Sequence, residues 1–130
     1  SNPFMKPALL NPTYIRRDKR GDFFEMLNGS AWENLSYGKM KKGAVIGNHY
    51  HKKTRVFFFV LSGSATVVTL NVNTNVGDSF ALSDNEGIWF EPYVTHAVVF
   101  KKESMFLMGK SIAYDKDNSD TYEYTVVEGK

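Results

Sequence analysis

The three histidines of this chain form a pattern suited to chemistry: His49 and His51 flank Tyr50, and His96 stands in a later segment. If the first segment is a strand, His49 and His51 point to the same face, because side chains alternate along a strand. Imidazole has an ordinary pKa of about 6.5 and also binds transition metals. The pattern therefore predicts either proton transfer at neutral pH or a metal site.

The elements that must position these histidines are short strands. Runs of β-branched and aromatic residues are separated by Gly, Asn, Asp and Ser, and no long stretch has a helical period. Strands are predicted near 31–39, 44–51, 55–61, 65–71, 79–83, 87–91, 96–101, 104–111 and 122–127. A β-hairpin is predicted at Ser62-Gly63, where glycine can adopt a positive φ. Many strands without helices favour an antiparallel sandwich or barrel.

Length and composition predict one domain over residues 1–130, and these residues contain no interdomain linker. Three of the 4 prolines fall in the first 13 residues, so residues 1–22 are predicted to form an extended N-terminal arm. The net charge of +2 is too small to suggest a nucleic acid partner. The chain has no cysteine, which excludes disulfides and thiolate metal sites. No apolar run approaches the roughly 20 residues that span a bilayer, so a cytoplasmic protein without a membrane partner is expected.

Two segments carry a family resemblance. Gly43, the His49-Tyr50-His51 triplet and Gly63 resemble the first cupin motif. The segment 87–96, in which a proline-containing turn leads to the last histidine, resembles the second motif. Together these motifs cover residues 43–100. The resemblance implies an all-β, single-domain cupin with an antiparallel jelly-roll barrel, and a homodimer, since many cupins are dimeric.

The resemblance leaves the cofactor open. Typical cupins bind Fe, Mn, Ni or Zn through three histidines and a glutamate, and this chain has Val56 where that glutamate is expected. The loss removes a charged oxygen donor that hard divalent metals favour, so no cofactor is the favoured expectation. The alternative is a divalent transition metal (Zn, Fe, Mn or Ni) held by His49, His51 and His96, with water completing the shell.

Two cupin subfamilies are more similar than the rest. Residues 49–55 resemble the sugar-nucleotide 3,4-ketoisomerases, which also lack the glutamate and act on deoxythymidine-diphosphate 4-keto-6-deoxyglucose without a metal. Residues 18–25, Lys42-Gly43, residues 47–51 and the ending Asp120-Thr121-Tyr122 resemble the sugar-nucleotide 3,5-epimerases and the cupin domain of capsular-sugar reductases. Both groups act on keto-sugars attached to a nucleoside diphosphate. The leading hypothesis is therefore an isomerase or epimerase of a nucleotide-linked 4-keto-6-deoxy sugar that works by histidine acid–base proton transfer.

The resemblance also implies residue roles. His51 would be the carbon base of a ketoisomerase and His49 that of an epimerase, because imidazole takes and gives protons near neutral pH. Donors or cations must stabilise the enediolate, and the candidates are His96, Arg55, Tyr37 and Tyr93. The candidates for substrate binding are Lys52 and Lys53, for the diphosphate, and Trp89, for the nucleoside base.

Two alternative functions remain open at this point. A three-histidine metal cupin could act as a dioxygenase or lyase on another small polar substrate. A non-catalytic sugar-binding cupin would keep the barrel without turnover.

Overall fold

The computed structural model describes residues 7–29 and 31–129, so the first six residues of the predicted arm lie outside the described part. Its regular elements are the strands β1 (Leu9–Leu10), β2 (Tyr14–Asp18), β3 (Gly21–Glu25), β4 (Asn34–Met40), β5 (Val45–Tyr50), β6 (Val56–Ser62), β7 (Ser64–Asn71), β8 (Gly77–Ser83), β9 (Glu86–Phe90), β10 (Val94–Phe100), β11 (Ser104–Lys110) and β12 (Tyr122–Glu123). Within these residues no helix is long and apolar enough to cross a membrane.

Ten strands form two antiparallel five-stranded sheets. The first has the order β1-β9-β6-β11-β4 and the second the order β12-β5-β10-β7-β8, while β2 and β3 form a separate two-stranded sheet. Side chains from both large sheets, among them Phe58 of β6 and Val98 of β10, pack into one buried core. The predicted all-β antiparallel jelly roll is confirmed.

Strand β6 is buried on both faces. Val56, Phe58 and Val60 point into the barrel, while Phe57 and Phe59 belong to a second cluster outside it. Leu10, Trp32 and Trp89 take part in that outer cluster. This double burial explains why β6 is a continuous apolar run rather than an alternating one.

The predicted hairpin at Ser62-Gly63 is wrong. Strand β6 pairs with β9 and β11, whereas β7 pairs with β10 and β8, so the turn carries the chain from one sheet to the other. Gly63 has the positive φ, 118°, that was expected of it. The residues of a turn predict that the chain changes direction there. Which strands the next strand pairs with depends on residues far away in the sequence.

The prediction of an extended arm over residues 1–22 is also wrong in its later part. Strands β2 and β3 pair from Tyr14↔Glu25 to Asp18↔Gly21, and so form a hairpin. Strand β2 is exposed along its whole length. With neither face buried, it lacks the alternation by which strands are recognised in a sequence.

A one-residue bulge in β5 determines where the histidines point. In the pairing with β10, His49 lies opposite His96 and Gly47 opposite Ala97, so Asn48 is the extra residue. Gly47 and Asn48 both have positive φ, 98° and 62°. Ile46 packs in the barrel core before the bulge, and His49 lines the barrel cavity after it. The bulge therefore changes which alternate residues face inward.

This geometry predicts unequal effects of alanine at two glycines. Both Gly43 and Gly47 have positive φ, but a Cβ on Gly47 would lie 2.5 Å from the His96 carbonyl oxygen, whereas one on Gly43 would meet nothing within 4 Å. Gly43→Ala should lower the free energy of unfolding by about 1 kcal/mol, from backbone strain alone. Gly47→Ala should cost roughly 2 kcal/mol more, because the strands must also separate. Urea denaturation measures both, and equal losses would contradict the close approach.

Candidate functional site

The three imidazoles meet inside one end of the barrel. One nitrogen atom of each ring lies within 4.8 Å of those of the other two. The ring centroids are 5.1 Å apart for His49 and His51, 4.9 Å for His49 and His96, and 5.8 Å for His51 and His96. They line an inner cavity of about 140 Å³ whose other walls are largely apolar, including Val56, Phe58 and Met108.

Backbone carbonyls fix the tautomers of two of these rings. The Nδ1 atom of His51 lies 2.7 Å from the carbonyl oxygen of Asp120, and Nδ1 of His96 lies 3.1 Å from that of Val94. A carbonyl oxygen only accepts, so each neutral ring carries its proton on Nδ1 and a lone pair on Nε2. The Nε2 atom of His51 is buried and has no hydrogen-bond partner among the described residues.

Burial keeps these imidazoles neutral. Desolvation is the main cause that lowers the pKa of each ring, and for His49 it acts with the neighbouring charges of His51 and Lys110 to lower the pKa to about 4. The pKa of His51 is lowered by burial although the Asp120 carbonyl opposes this. The pKa of His96, which stacks on Phe90 at 3.9 Å between centroids, is lowered further. The neutral form is the one that accepts a proton or binds a metal.

Lys110 is a site residue that was not recognised in the sequence. It ends β11, lies opposite Val56 in the sheet and lines the inner cavity. Its positive charge contributes to lowering the pKa of all three imidazoles. Alternation from the buried Phe106 through Met108 could have placed it inside the barrel.

A second, outer cavity of about 330 Å³ adjoins the first. Both cavities are lined by His51 and Lys110. The remaining walls of the outer cavity come from Thr54 and from the chain after β11, including Ile112, Tyr114, Asp115, Asn118, Asp120 and Thr121. The two cavities therefore meet at His51 and Lys110.

Arg55 is not placed beside the imidazoles, contrary to the prediction. Its Nε lies 2.9 Å from both carboxylate oxygens of Glu91, and its guanidinium carbon lies 4.0 Å from the centre of the Trp89 ring. Arg55 precedes the inward-facing Val56, so alternation directs it to the outer face. It acts there as a structural cation.

Five other predicted residues line neither the inner nor the outer cavity. Trp89 stacks on Trp32 outside the barrel, and Tyr37 is 72% exposed on β4. Tyr93 packs near Tyr50, which points away from the imidazoles because it lies between His49 and His51. Lys52 and Lys53 have exposed side chains, although their backbone amides bind Asp120.

The chain matches the model of one known protein family. Residues 16–122 match the family described as polysaccharide biosynthesis C-terminal domain. The chain belongs to this family. No curated protein gave a match.

Solved structures support the fold. QdtA, a sugar 3,4-ketoisomerase from Thermoanaerobacterium thermosaccharolyticum in complex with TDP, has a TM-score of 0.78 at 20% identity, covering 92% of this chain and 88% of that one. A 3,4-ketoisomerase from Helicobacter canadensis gives 0.79 at 19% identity, covering 91% and 90%. The capsular polysaccharide assembling protein CapF from Staphylococcus aureus gives 0.68 at 24% identity over 87% of this chain. The chain spans about a third, 34%, of CapF.

The lowered pKa values predict that acid destabilises the protein through its histidines. An unfolded histidine has a pKa of about 6.5, whereas that of folded His49 is about 4. Between these values the unfolded state binds more protons, so the free energy of unfolding should fall as the pH drops from about 6.5 towards 4. Urea denaturation of chelator-treated protein between pH 7 and 5 measures this above the range of ordinary carboxylates.

His49→Gln is the control for this pH dependence. The substitution should reduce the slope, because one titrating group is removed. A free energy of unfolding that stays constant or rises as the pH is lowered from 7 to 5 would contradict the neutral buried cluster.

Proposed function

We propose that this protein isomerises or epimerises a nucleotide-linked 4-keto-6-deoxy sugar by proton transfer through its histidines. The observation that carries the proposal is the Nε2 atom of His51, which is buried, unprotonated in the tautomer selected by Asp120 and without a partner among the described residues. His51 thus provides a base at the inner cavity, and the Lys110 ammonium lines the same cavity. The ketoisomerase fold of QdtA and its TDP ligand support the choice of substrate.

The chemistry requires a base, an oxyanion partner and a proton shuttle. His51 Nε2 removes a proton from the carbon next to the ketone, and the electron pair of that C–H bond forms a C=C bond while the carbonyl oxygen becomes negative. The Lys110 ammonium stabilises this oxygen. In the ketoisomerase reaction, His49 or His96 moves a proton between the two enediol oxygens, and His51 returns its proton to the former carbonyl carbon.

The epimerase reaction uses the same enediolate with a different return of the proton. Here His49 is the base, as the family resemblance implied, and keeps the proton that it removes, while a separate acid on the opposite face of the sugar gives a proton to the same carbon. Both groups then regain their starting protonation states by exchange with solvent. In both reactions the sugar occupies the inner cavity and the nucleoside diphosphate extends into the outer one. The predicted homodimer and cytoplasmic location stay predictions.

Replacing His51 tests the proposal directly. In heavy water, the wild-type protein should incorporate solvent deuterium into a 4-keto-6-deoxy sugar nucleotide, as measured by mass spectrometry. His51→Gln should lower the rate about 100-fold or more, because the general base is lost. His49→Gln should have the larger effect if the protein is an epimerase.

The possible outcomes separate the alternatives. Undiminished deuterium uptake in both variants would rule out these histidines as carbon bases. Binding of the sugar nucleotide by the wild-type protein, with neither deuterium uptake nor conversion to an isomer or epimer, would favour a non-catalytic sugar-binding cupin. The unfolding midpoint of each variant shows whether a lost rate reflects lost structure.

A metal-dependent activity is the second candidate, favoured by the three ligand nitrogens that lie within 4.8 Å of one another. His51 and His96 are held with Nε2 available, which suits metal binding. A metal there would polarise a carbonyl or a bound water. Val56 supplies no carboxylate, however, and the nearby Lys110 charge opposes a divalent cation. One transition metal per chain in protein purified without added metal, and lost in His96→Ala, would favour this candidate.

Lys110 allows a separate test of the oxyanion partner. Lys110→Met keeps the length of the side chain and removes the charge, so kcat should fall about 100-fold. Lys110→Arg keeps the charge and should recover part of the loss. Steady-state kinetics measures both, and a normal kcat in Lys110→Met would assign the oxyanion to another donor.

A further inference from the structure

One residue outside the barrel strands contacts both His51 and the turn that follows it. The Asp120 carbonyl oxygen accepts from His51 Nδ1 at 2.7 Å. Its carboxylate accepts from the backbone amides of Lys52, Lys53 and Thr54 at 3.0, 2.9 and 2.8 Å, and from the Thr54 hydroxyl at 2.8 Å. Asp120 thus joins the C-terminal segment to the four consecutive residues 51–54, of which His51 and Thr54 line the cavities.

We propose that Asp120 is the positioning residue of His51: its carboxylate fixes its own carbonyl, and that carbonyl selects the tautomer with a free Nε2. The consequence for turnover rests on the proposed function, but the selection of the tautomer does not. A neutral imidazole carries its proton on either nitrogen, and the acceptor beside one nitrogen decides which. In this site only the Nδ1–H tautomer leaves the Nε2 lone pair free at the inner cavity.

The carboxylate is needed because little else holds the chain just before it. Residues 112–119 are exposed. The Ala113 amide donates to the Glu33 carboxylate. Within residues 114–119 the hydrogen bonds of the structure are local, from the amides of Asp117 and Asn118 to Asp115. After Asp120 the chain is held by β12, which pairs with β5 at Tyr122↔Tyr50. The position of the Asp120 carbonyl therefore depends on this pairing on one side and on the four bonds that the carboxylate accepts.

On the other side of Asp120, Asn48 fixes the chain. Its carbonyl accepts from the Tyr124 amide, and its side-chain oxygen accepts from the amides of Val126 and Val127. Its side-chain nitrogen donates to the Val127 carbonyl at 2.9 Å. The C-terminal segment is thus attached on both sides of the histidine pair, and Asp120 is the attachment nearest His51.

The Asp120 carboxylate is suited to this task because it is ionised. Burial acts to raise its pKa, but the hydrogen bonds from Lys52, Lys53 and Thr54 outweigh burial and hold the pKa below the ordinary value. An ionised carboxylate accepts at every oxygen lone pair, whereas the amide of asparagine places two donors where acceptors are required. Asp120→Asn therefore keeps the shape, removes the charge and turns an NH₂ group towards at least one of the backbone amides that the carboxylate binds.

The tautomer of His51 is the decisive measurement, and it needs no substrate. Side-chain ¹⁵N NMR of the full chain at about pH 8 distinguishes a protonated Nδ1 from a protonated Nε2. In the wild-type protein His51 and His96 should both be Nδ1–H. In Asp120→Asn and Asp120→Ala, His51 should become a mixture containing the Nε2–H form. His96 should not change, because Val94 holds it.

Asp117→Asn is the matched control. It makes the same change of charge in the same exposed segment, at a residue whose side chain lines neither cavity, and His51 should remain Nδ1–H. An unchanged His51 tautomer in both Asp120 variants, with the His96 signal intact, would overturn the proposal. If Asp120→Ala does not fold, Asp120→Asn alone decides.

The turnover rate is the second measurement that tests the role of Asp120. In Asp120→Asn, kcat should fall about tenfold to a hundredfold, the usual effect of losing an orienting partner. KM should change less than kcat, because the contacts of the sugar in the inner cavity remain although Asp120 also lines the outer cavity. A wild-type protein without turnover would contradict the proposed function and leave the NMR test of Asp120 intact. A changed tautomer with normal kcat would show that Asp120 orients His51 but that His51 is not the base.

Discussion

The arrangement of the site depends on one extra residue in β5. With regular alternation after Ile46, the next inward side chains would be those of Asn48 and Tyr50. The bulge at Asn48 instead turns His49 and His51 inward and leaves Tyr50 outside. Gly47 makes this possible, since its φ of 98° and its approach to the His96 carbonyl leave no room for a side chain. The same bulge sets the opposing pair of His49 and His96, so the meeting of the three imidazoles depends on it.

Placing three imidazoles together inside a barrel has an electrostatic consequence. Desolvation opposes the charged form of each, and each protonated ring would repel the others. The cluster is therefore neutral, and its tautomers become the variable that matters. Two backbone carbonyls, those of Asp120 and Val94, select the Nδ1–H tautomer of His51 and His96. The Nδ1 atoms of these two rings face backbone carbonyls of a loop and a strand rather than a carboxylate. The nearby Asp120 carboxylate acts to raise the pKa of His51, but burial outweighs it.

Local sequence patterns were sufficient for the fold and for the identity of the cluster. Alternation placed Val56 and Phe58 on one face and Phe57 on the other, and the two cupin motifs brought His96 to His49 and His51. Patterns failed where the answer depends on distant residues. Gly63 marked a turn but not the change of sheet, and Arg55 was assigned to the site although Glu91 and Trp89 hold it outside. Asp120 was not predicted as a site residue, because its contacts to residues 51–54 join parts far apart in the chain.

The pair formed by Val56 and Lys110 indicates what kind of charge the site accommodates. In the cupin pattern a glutamate stands at the position of Val56, and a negative group there favours a bound cation. Here that position is apolar, and its cross-strand neighbour on β11 is an ammonium that faces the same cavity. Where the cupin pattern places a negative charge, this chain therefore places a positive one. The cavity walls are apolar, so Coulomb interactions in it are strong. Such a cavity favours a ligand that becomes negative, as a ketone does when a proton is removed from the carbon beside it.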